Sequence, residues 1–311
     1  MKLTPAIEGN VAAFAGACLL GGAVVATRKV VGDVAPLNLA FLRYALGGVF
    51  LAAMVSLLRP GALRIPKIEL PRVALLGILM YALFPVLFNT SLRYTTASRG
   101  AVILALMPLF TAVLGAFARS EQLRPLQWLG VLLSILGVAT VFGENGLGLG
   151  DGRDAMIGNA LMVVAALTGA IYSVKARPIL RQFGAPPITA MAMLCGAALL
   201  LLPALSRDVT GEIAAASNQA RALVFYLAIP AGAIGFFLVS LGLSRLSATQ
   251  SALYINLNPV IATILGALLL DETLTPWFGL GFVLVISGLL LANLPRRGPQ
   301  PAGGSKQSEG R

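Results

Sequence analysis

The side chains of this chain that can take part in chemistry are polar groups set inside long apolar runs. Gln250, Tyr254 and Asn258 are spaced four residues apart and therefore share one face of a helix. Amides and phenols can hydrogen-bond an amino or carboxylate group, and they are costly to leave in an apolar medium. Arg43 is the only charged residue deep in such a run, and its guanidinium can bind a carboxylate. These residue types favour reversible binding of a small solute.

Other polar side chains recur in the same way. Tyr81 and Asn89 share a face of one predicted helix, while Tyr172 and Tyr226 lie in two others. Polar groups of this kind can also hold helices together, each contributing roughly 0.6 kcal/mol. We interpret these side chains either as a substrate path or as contacts between helices. Arg43 has the same two interpretations, as a carboxylate-binding residue or as a structural one.

The chain lacks the residues on which most catalytic and metal sites depend. It has no histidine, and Cys18 and Cys195 lie in separate apolar runs. All twelve Asp and Glu residues fall outside the apolar runs, and the sequence places none of them in a cluster with metal-ligand spacing. We therefore expect no metal, no cofactor and no enzymatic activity.

The composition predicts an all-α integral membrane protein. The chain is 58% hydrophobic and 11% charged, with a mean hydropathy of +0.87, whereas a soluble domain carries roughly 25% charged residues. The net charge of +11 does not predict nucleic-acid binding, because no Lys/Arg-rich run contains interleaved aromatic residues. Ten runs approach the ~20 residues that cross a bilayer as a helix. They cover residues 11–31, 36–58, 71–92, 96–118, 125–143, 156–177, 186–206, 221–243, 247–270 and 276–294.

The second half of the chain repeats the first at an offset of 151 residues. An ungapped comparison of residues 88–142 with residues 239–293 gives sixteen identities in 55 positions, and it pairs Glu121 with Glu272. The repeated unit contains five predicted helices, and an internal repeat in a membrane chain is typical of transporters. We expect repeats at residues 10–143 and 156–294, a linker at 144–155 and a disordered cytoplasmic tail at 295–311.

The basic residues predict the orientation of these helices. With the N-terminus in the cytoplasm, the cytoplasmic segments hold fifteen Lys and Arg residues and the outer segments hold seven, in agreement with the positive-inside rule. Both termini then lie in the cytoplasm, as expected for a multi-pass protein of a bacterial inner membrane. A unit of five helices reverses direction when it is duplicated. The predicted architecture is therefore two inverted five-helix repeats, related by a pseudo-two-fold axis with a shared site near the midplane.

The repeated segment closely resembles the EamA domain of the drug/metabolite transporter superfamily. Residues 97–130 read ASRGAVILALMPLFTAVLGAFARSEQLRPLQWLG, and residues 248–281 read ATQSALYINLNPVIATILGALLLDETLTPWFGLG. An Ala-rich helix with a central Pro, its Gly, a Glu at the turn and a Gly-spaced following helix carry the resemblance, together with Phe41-Leu42-Arg43. The resemblance covers residues 10–294 as two copies. It implies a ten-helix permease in a family whose members often export amino acids and related metabolites.

Two residue pairs matched by the repeat have more than one interpretation. Pro108 and Pro259 each remove a backbone hydrogen bond in the middle of a helix. They act either as hinges of alternating access or as kinks that shape packing. Glu121 and Glu272 each precede by four residues a proline that starts the next helix. They are interpreted as turn residues, with a role in ion coupling as the alternative.

The sequence thus predicts a permease for small metabolites. We expect export of amino acids or related compounds by uniport or exchange, because no acidic residue or histidine lies in a predicted span to carry protons. Proton-coupled efflux of cationic or multidrug compounds and a receptor or scaffold without transport are the alternatives. The expected partners are a small-molecule substrate and the lipid bilayer, for a monomer or a homodimer. Small residues on one face of the last helix in each repeat let helices approach closely; they are Gly130, Gly137, Gly281 and Gly288. We expect these two helices at the periphery, facing lipid or a second protomer.

Overall fold

The computed structural model describes residues 5–117, 125–146, 152–245, 254 and 257–292. These residues form helices joined by turns and short loops, and no strand occurs among them. Helices satisfy their own backbone hydrogen bonds, which an apolar medium cannot do for them. The helices are α1 Pro5–Val30, α2 Pro36–Leu58, α3 Leu70–Gly77, α4 Phe84–Tyr94, α5 Ala97–Leu104, α6 Leu106–Phe117, α7 Pro125–Gly146, α8 Gly152–Phe183, α9 Ala185–Leu205, α10 Val209–Ala215, α11 Asn218–Ala228, α12 Phe236–Arg245, α13 Leu257–Leu269 and α14 Pro276–Ala292.

Seven helical stretches of the described residues are long and apolar enough to cross a bilayer, and three shorter apolar helices accompany them. These ten elements lie at the positions of the ten predicted runs. The expected linker is partly helical, because residues 144–146 end α7 and residues 152–155 begin α8. Residues 147–151 and the expected tail at 295–311 lie outside the described residues.

Two π-helical segments interrupt the α-helices at matching places in the repeat. One covers Ile78–Leu83, between α3 and α4, and the other covers Ile229–Gly235, between α11 and α12. Their first residues are 151 positions apart, which is the offset of the sequence repeat. A proline lies beside or inside each segment, Pro85 and Pro230, and each removes one N–H from the helical ladder. Such widened turns frequently occur at functional sites.

The helices α7 and α14 pack along a seam of glycines. A Cβ atom on Gly130 would lie 2.6 Å from the carbonyl oxygen of Gly288, and one on Gly137 would lie 2.6 Å from that of Gly281. The early part of one helix therefore meets the late part of the other, so the two helices run antiparallel. Because Gly130 matches Gly281 in the repeat and Gly137 matches Gly288, the contact is reciprocal, as a two-fold relation requires. The predicted glycine face is thus covered within the chain.

The other helix pairs follow a similar reciprocal pattern. The helix α1 packs on α12 and α13, and its counterpart α8 packs on α4 and α6, while α2 packs on α9. The helix α5 packs on both α8 and α13. We group α5 with its chain neighbours and call α4, α5, α6 and α8 the first bundle, and α1, α12 and α13 the second bundle.

The glycine seam makes a prediction about stability. Replacing Gly281 by alanine places a methyl group against the Gly137 carbonyl, and we expect this overpacking to cost about 1–3 kcal/mol. Replacing Gly279, on the same helix, adds a methyl group with no atom within 4 Å and provides the control. Thermal unfolding of the purified variants in detergent measures the difference. Equal Tm values for the two variants would contradict the seam.

Candidate functional site

A cavity of about 190 Å³ lies between the two bundles. The second bundle contributes residues of α1, α12 and α13, the first contributes residues of α4, α5 and α6, and α2 and α14 add residues at the edges. Its walls are mainly aliphatic and aromatic. The lining residues are Leu20, Ala23, Val24, Arg43, Tyr44, Met80, Phe84, Phe88, Ala101, Leu104, Ala105, Met107, Pro108, Phe236, Asn258, Pro259 and Leu289.

Arg43 places a charge in the wall of this apolar cavity. Its side chain comes from the first half of α2 and is only 7% exposed. The buried Nε has no hydrogen-bond partner among the described residues. Arg43 takes part in no ion pair with another described residue. The centroid of the Tyr44 ring lies 5.4 Å from its guanidinium carbon. A buried charge with so little compensation is costly to the fold and can be neutralised by an anionic ligand.

Asn258 gives the cavity a second polar group. Its buried Oδ1 has no hydrogen-bond partner among the residues described. It lies near the start of α13 and adjoins Pro259, which also lines the cavity. Its counterpart in the repeat is Met107, which lines the cavity beside Pro108. The matching positions therefore face one shared space, and the amide makes that space chemically asymmetric.

The predicted hinge at Pro108 coincides with a break in the helix. The helix α5 ends at Leu104, Ala105 forms a turn, and α6 begins at Leu106. The cause is local, because Pro108 lacks the N–H that would bond to the carbonyl of Leu104, four residues earlier. The equivalent carbonyl before Pro259 belongs to Ile255, which lies outside the described residues.

Three tyrosines extend from the cavity wall into the bundle. The Tyr44 and Tyr81 rings meet edge to face with their centroids 5.1 Å apart, and the centroids of Tyr81 and Tyr172 are 6.1 Å apart. Tyr81 is only 2% exposed and does not line the cavity. The predicted residues Tyr81 and Tyr172 thus lie behind Tyr44, which does line it. Edge-to-face pairs of this kind add about 0.5–1.5 kcal/mol each and hold the rings in place.

The remaining predicted site residues join helices in this structure. The Asn89 amide donates to the Pro36 carbonyl at 2.9 Å and holds the start of α2. The Tyr226 hydroxyl donates to the Leu19 carbonyl at 2.8 Å, and the Tyr254 hydroxyl donates to Asn10 Oδ1 at 3.0 Å. Both tyrosines therefore connect the second half of the chain to α1. Gln250 lies outside the described residues.

The phenylalanines in the walls of the cavity are not among the predicted site residues. Phe84 and Phe88 are four residues apart, and their rings stack with centroids 5.7 Å apart. That spacing on one helix face was a usable signal, but the same pattern is common in any buried helix. Tyr44, Met107 and Phe236 gave no distinct signal, because only the packing of α2, α6 and α12 brings them to one space.

Known proteins resemble this chain over most of its length. The profile of the EamA-like transporter family matches residues 7–143 and 156–294. The chain belongs to the EamA-like transporter family. This membership confirms the family predicted from the repeated segment, and it establishes this EamA-family protein as a membrane transporter.

Individual relatives of this EamA-family transporter are distant. The uncharacterized transporter YdfC of Bacillus subtilis is 26% identical over 262 residues, which is 83% of this chain and 82% of that protein. A probable terminal-alkyne amino-acid exporter of Streptantibioticus cattleyicolor is 28% identical over 226 residues, covering 72% and 73% of the two chains. A solved crystal structure matches with a TM-score of 0.64 at 22% identity, over 92% of this chain and 96% of that one. The structural match supports the fold.

The unpartnered Oδ1 of Asn258 allows a test of whether this residue serves binding or stability. Leaving a buried polar atom without a partner costs about 1–3 kcal/mol. We therefore expect Asn258→Leu to raise the Tm of the transporter by a few degrees while it lowers transport. Asn89→Leu is the comparison variant. Its buried Oδ1 also lacks a partner among the described residues, but Asn89 Nδ2 donates to the Pro36 carbonyl, and loss of that bond should lower the Tm. Thermal unfolding and a transport assay on the same preparations measure both effects, and a destabilised Asn258→Leu variant would contradict the assignment.

Proposed function

We propose that this EamA-family transporter exports amino acids or related compounds by alternating access. The observation that carries the proposal is the Arg43 guanidinium in the wall of an otherwise apolar cavity, with its Nε lacking a partner. A carboxylate is the group that matches a guanidinium in geometry and charge. The relative from Streptantibioticus cattleyicolor, named as a probable exporter of an amino acid, agrees with this substrate class.

The proposed architecture is ten transmembrane helices arranged as two inverted five-helix repeats, at residues 10–143 and 156–294. The reciprocal glycine contacts of α7 and α14 support it, as do the π segments at matching positions. In the proposed topology the protein lies in the cell membrane with both termini in the cytoplasm. The site then lies between inverted halves, where such transporters bind their substrates.

The proposed substrate is small and partly apolar. A cavity of about 190 Å³ is smaller than the roughly 300–1,000 Å³ of pockets that bury drug-sized ligands. Arg43 binds the carboxylate, the Asn258 amide accepts a hydrogen bond from an amino group, and Phe84, Phe88 and Phe236 surround the apolar part. In this scheme Tyr81 and Tyr172 brace the Tyr44 wall.

The other predicted residues hold helices together in this scheme. Asn89, Tyr226 and Tyr254 each form a single hydrogen bond within a bundle or between a bundle and a neighbouring helix. Gln250 belongs to the same predicted face as Asn258. Pro108 and Pro259 serve as the hinges of the helices that carry them.

Uniport or exchange is the proposed mode of transport. Among the described residues that line the cavity, none is acidic or a histidine, and proton-coupled transporters generally carry such groups within the membrane. Efflux of cationic compounds is disfavoured on the same ground, because the Arg43 guanidinium repels a cation and no acidic side chain lines the cavity to attract one. A receptor or scaffold that does not transport is also disfavoured, because it would not need the proposed hinges at Pro108 and Pro259.

Transport assays on Arg43 variants test the substrate assignment. We expect Arg43→Gln to lower the export of a hydrophobic amino acid at least about tenfold, because a charge-assisted hydrogen bond contributes about 1.5–3 kcal/mol. Arg43→Lys keeps the charge but loses the planar fork, so we expect an intermediate rate. Full export by Arg43→Gln, at equal protein level, would refute the role of Arg43.

Proteoliposomes test the proposed absence of proton coupling. Uptake of a radiolabelled amino acid should exchange with the same amino acid loaded inside, and an imposed pH gradient should leave the rate unchanged. Strong uptake driven by the pH gradient and abolished by an uncoupler would instead support the proton-coupled alternative.

A further inference from the structure

The carboxylate of Glu272 joins the two bundles at one end of the cavity. Glu272 lies in the loop between α13 and α14, directly after Asp271, which has a positive φ of 53°. Its oxygens accept hydrogen bonds from the Ala97 N–H at 2.6 Å, the Ser98 N–H at 2.9 Å and the Ser98 hydroxyl at 2.6 Å. These groups belong to the first turn of α5. The first N–H groups of a helix have no partner within it and carry a partial positive charge, so a carboxylate is their best acceptor.

The short turn at Thr95 and Thr96 connects α4 to α5, and we call this turn the corner. Besides Glu272, a second charged side chain, that of Arg28, contacts the helix ends at this corner. Arg28, near the end of α1, donates from Nη1 to the Leu92 carbonyl at 2.8 Å and to the Arg93 carbonyl at 3.2 Å, at the C-terminus of α4. A cation is the favourable partner for carbonyls at a helix C-terminus. The end of α4 and the start of α5 are thus each held by a charge of the appropriate sign.

Both contacts cross between the two bundles. Arg28 belongs to α1 in the second bundle, and Glu272 directly follows α13 of the same bundle, whereas the corner belongs to the first bundle. The corner is in turn tied to α8, its own bundle partner, since the Thr95 hydroxyl donates to Asn159 Oδ1 at 2.7 Å and the Ser91 hydroxyl donates to the Gly158 carbonyl at 2.7 Å. Arg28 and Glu272 therefore add charged contacts from the second bundle to a corner that is also fixed to α8.

The corner leads directly into the cavity. Phe88, on α4, and Ala101 and Leu104, on α5, line it below the corner. Separation of the corner from Glu272 and Arg28 would draw these side chains away from α1 and α13. Gly266 makes the contact possible, because a Cβ atom there would lie 2.7 Å from Glu272 Oε2 and 2.8 Å from the Ser98 hydroxyl.

The repeat supplies the same chemistry a second time. At the offset of 151 residues, Glu272 matches Glu121, Ala97 matches Ala248, Ser98 matches Thr249 and Gly266 matches Gly115. A glutamate, a helix start with a hydroxyl residue and a close glycine are thus encoded in both copies. Glu121, Ala248 and Thr249 lie outside the described residues, so the second set rests on the sequence alone.

We propose that Glu272 is a clasp: its hydrogen bonds to the start of α5 keep the cavity closed at this end, and the cavity opens there when these bonds break. In the proposed topology Glu272 closes the outer mouth. The proposal uses the transporter architecture but does not depend on which substrate is carried.

Thiol accessibility tests the clasp without any substrate. Ala105, a cavity-lining residue of the first bundle, is replaced by cysteine in a chain whose Cys18 and Cys195 are alanine. A membrane-impermeant maleimide is applied to right-side-out and to inside-out vesicles. We expect Glu272→Gln to raise the labelling rate about tenfold or more from the side on which the Thr95–Thr96 corner lies, because Gln retains one acceptor oxygen and no charge. We expect no rise in labelling from the opposite side.

Glu212 provides a matched control for the loss of a capping carboxylate. It accepts from the Ala35 N–H at 2.7 Å and from Asn38 Nδ2 at 2.5 Å, but it joins α10 to α2, and neither helix belongs to the two bundles. We expect Glu212→Gln to leave the labelling of Cys at position 105 unchanged from both sides. Ser98→Ala, which removes one of the three hydrogen bonds and no charge, should give a smaller shift in the same direction as Glu272→Gln.

Several outcomes would overturn the clasp. Unchanged labelling in folded Glu272→Gln is one, and an equal rise from both sides is another. If Glu272→Gln does not fold, unchanged labelling in Ser98→Ala overturns the proposal in its place. Because the readout is accessibility, a positive result with no amino-acid export would refute the proposed substrate while the clasp stands. If export depends on Arg43 but labelling of the Glu272 variants is the same from both sides, the proposed substrate stands and the clasp is refuted.

Discussion

The fold depends on one constraint: within a lipid bilayer, each backbone N–H and carbonyl must find its partner inside the protein. Long helices meet this constraint along most of the chain. Their ends cannot, because the first N–H and last carbonyl groups have no partner in the same helix. At the end of the bundle near the Thr95–Thr96 corner, side chains from other helices supply those partners. Glu272 and Glu212 accept from helix starts, and Arg28 donates to a helix end.

Interruptions in the regular backbone hydrogen bonding of the α-helices occur around the cavity. The two π segments, the turn at Ala105 and the prolines near them all lie in helices whose side chains form its walls. A helix with a locally broken ladder bends more easily than a regular one. The unpartnered polar atoms of Arg43 and Asn258 occur in the same region. The protein thus combines a rigid periphery, typified by the glycine seam of α7 and α14, with a less constrained centre suited to binding and movement.

The internal repeat explains the scaffold better than it explains the site. Gly130, Gly137 and their counterparts pack reciprocally because both copies encode the same small residues. The cavity is asymmetric because matching positions differ: Met107 faces the same space as Asn258, and the Arg43 position has Leu194 as its counterpart at the repeat offset. Positions that are identical in the two copies set how the halves fit, and positions that differ make the space between them asymmetric.

By itself, the sequence determined the helical class, the approximate bounds of the apolar helices, the duplication and the family, because hydropathy and a fixed repeat offset are local and countable properties. It also selected Arg43, Asn258, Pro108 and Pro259, which do line the cavity, since a polar group or a proline is conspicuous in an apolar run. Only the tertiary structure placed Tyr81 behind Tyr44, engaged Tyr226 and Tyr254 in contacts with α1, and brought Glu272 to the start of α5. Those outcomes depend on which helices become neighbours. Helical periodicity gives the face on which a residue lies, but packing between residues more than a hundred positions apart decides what that face meets.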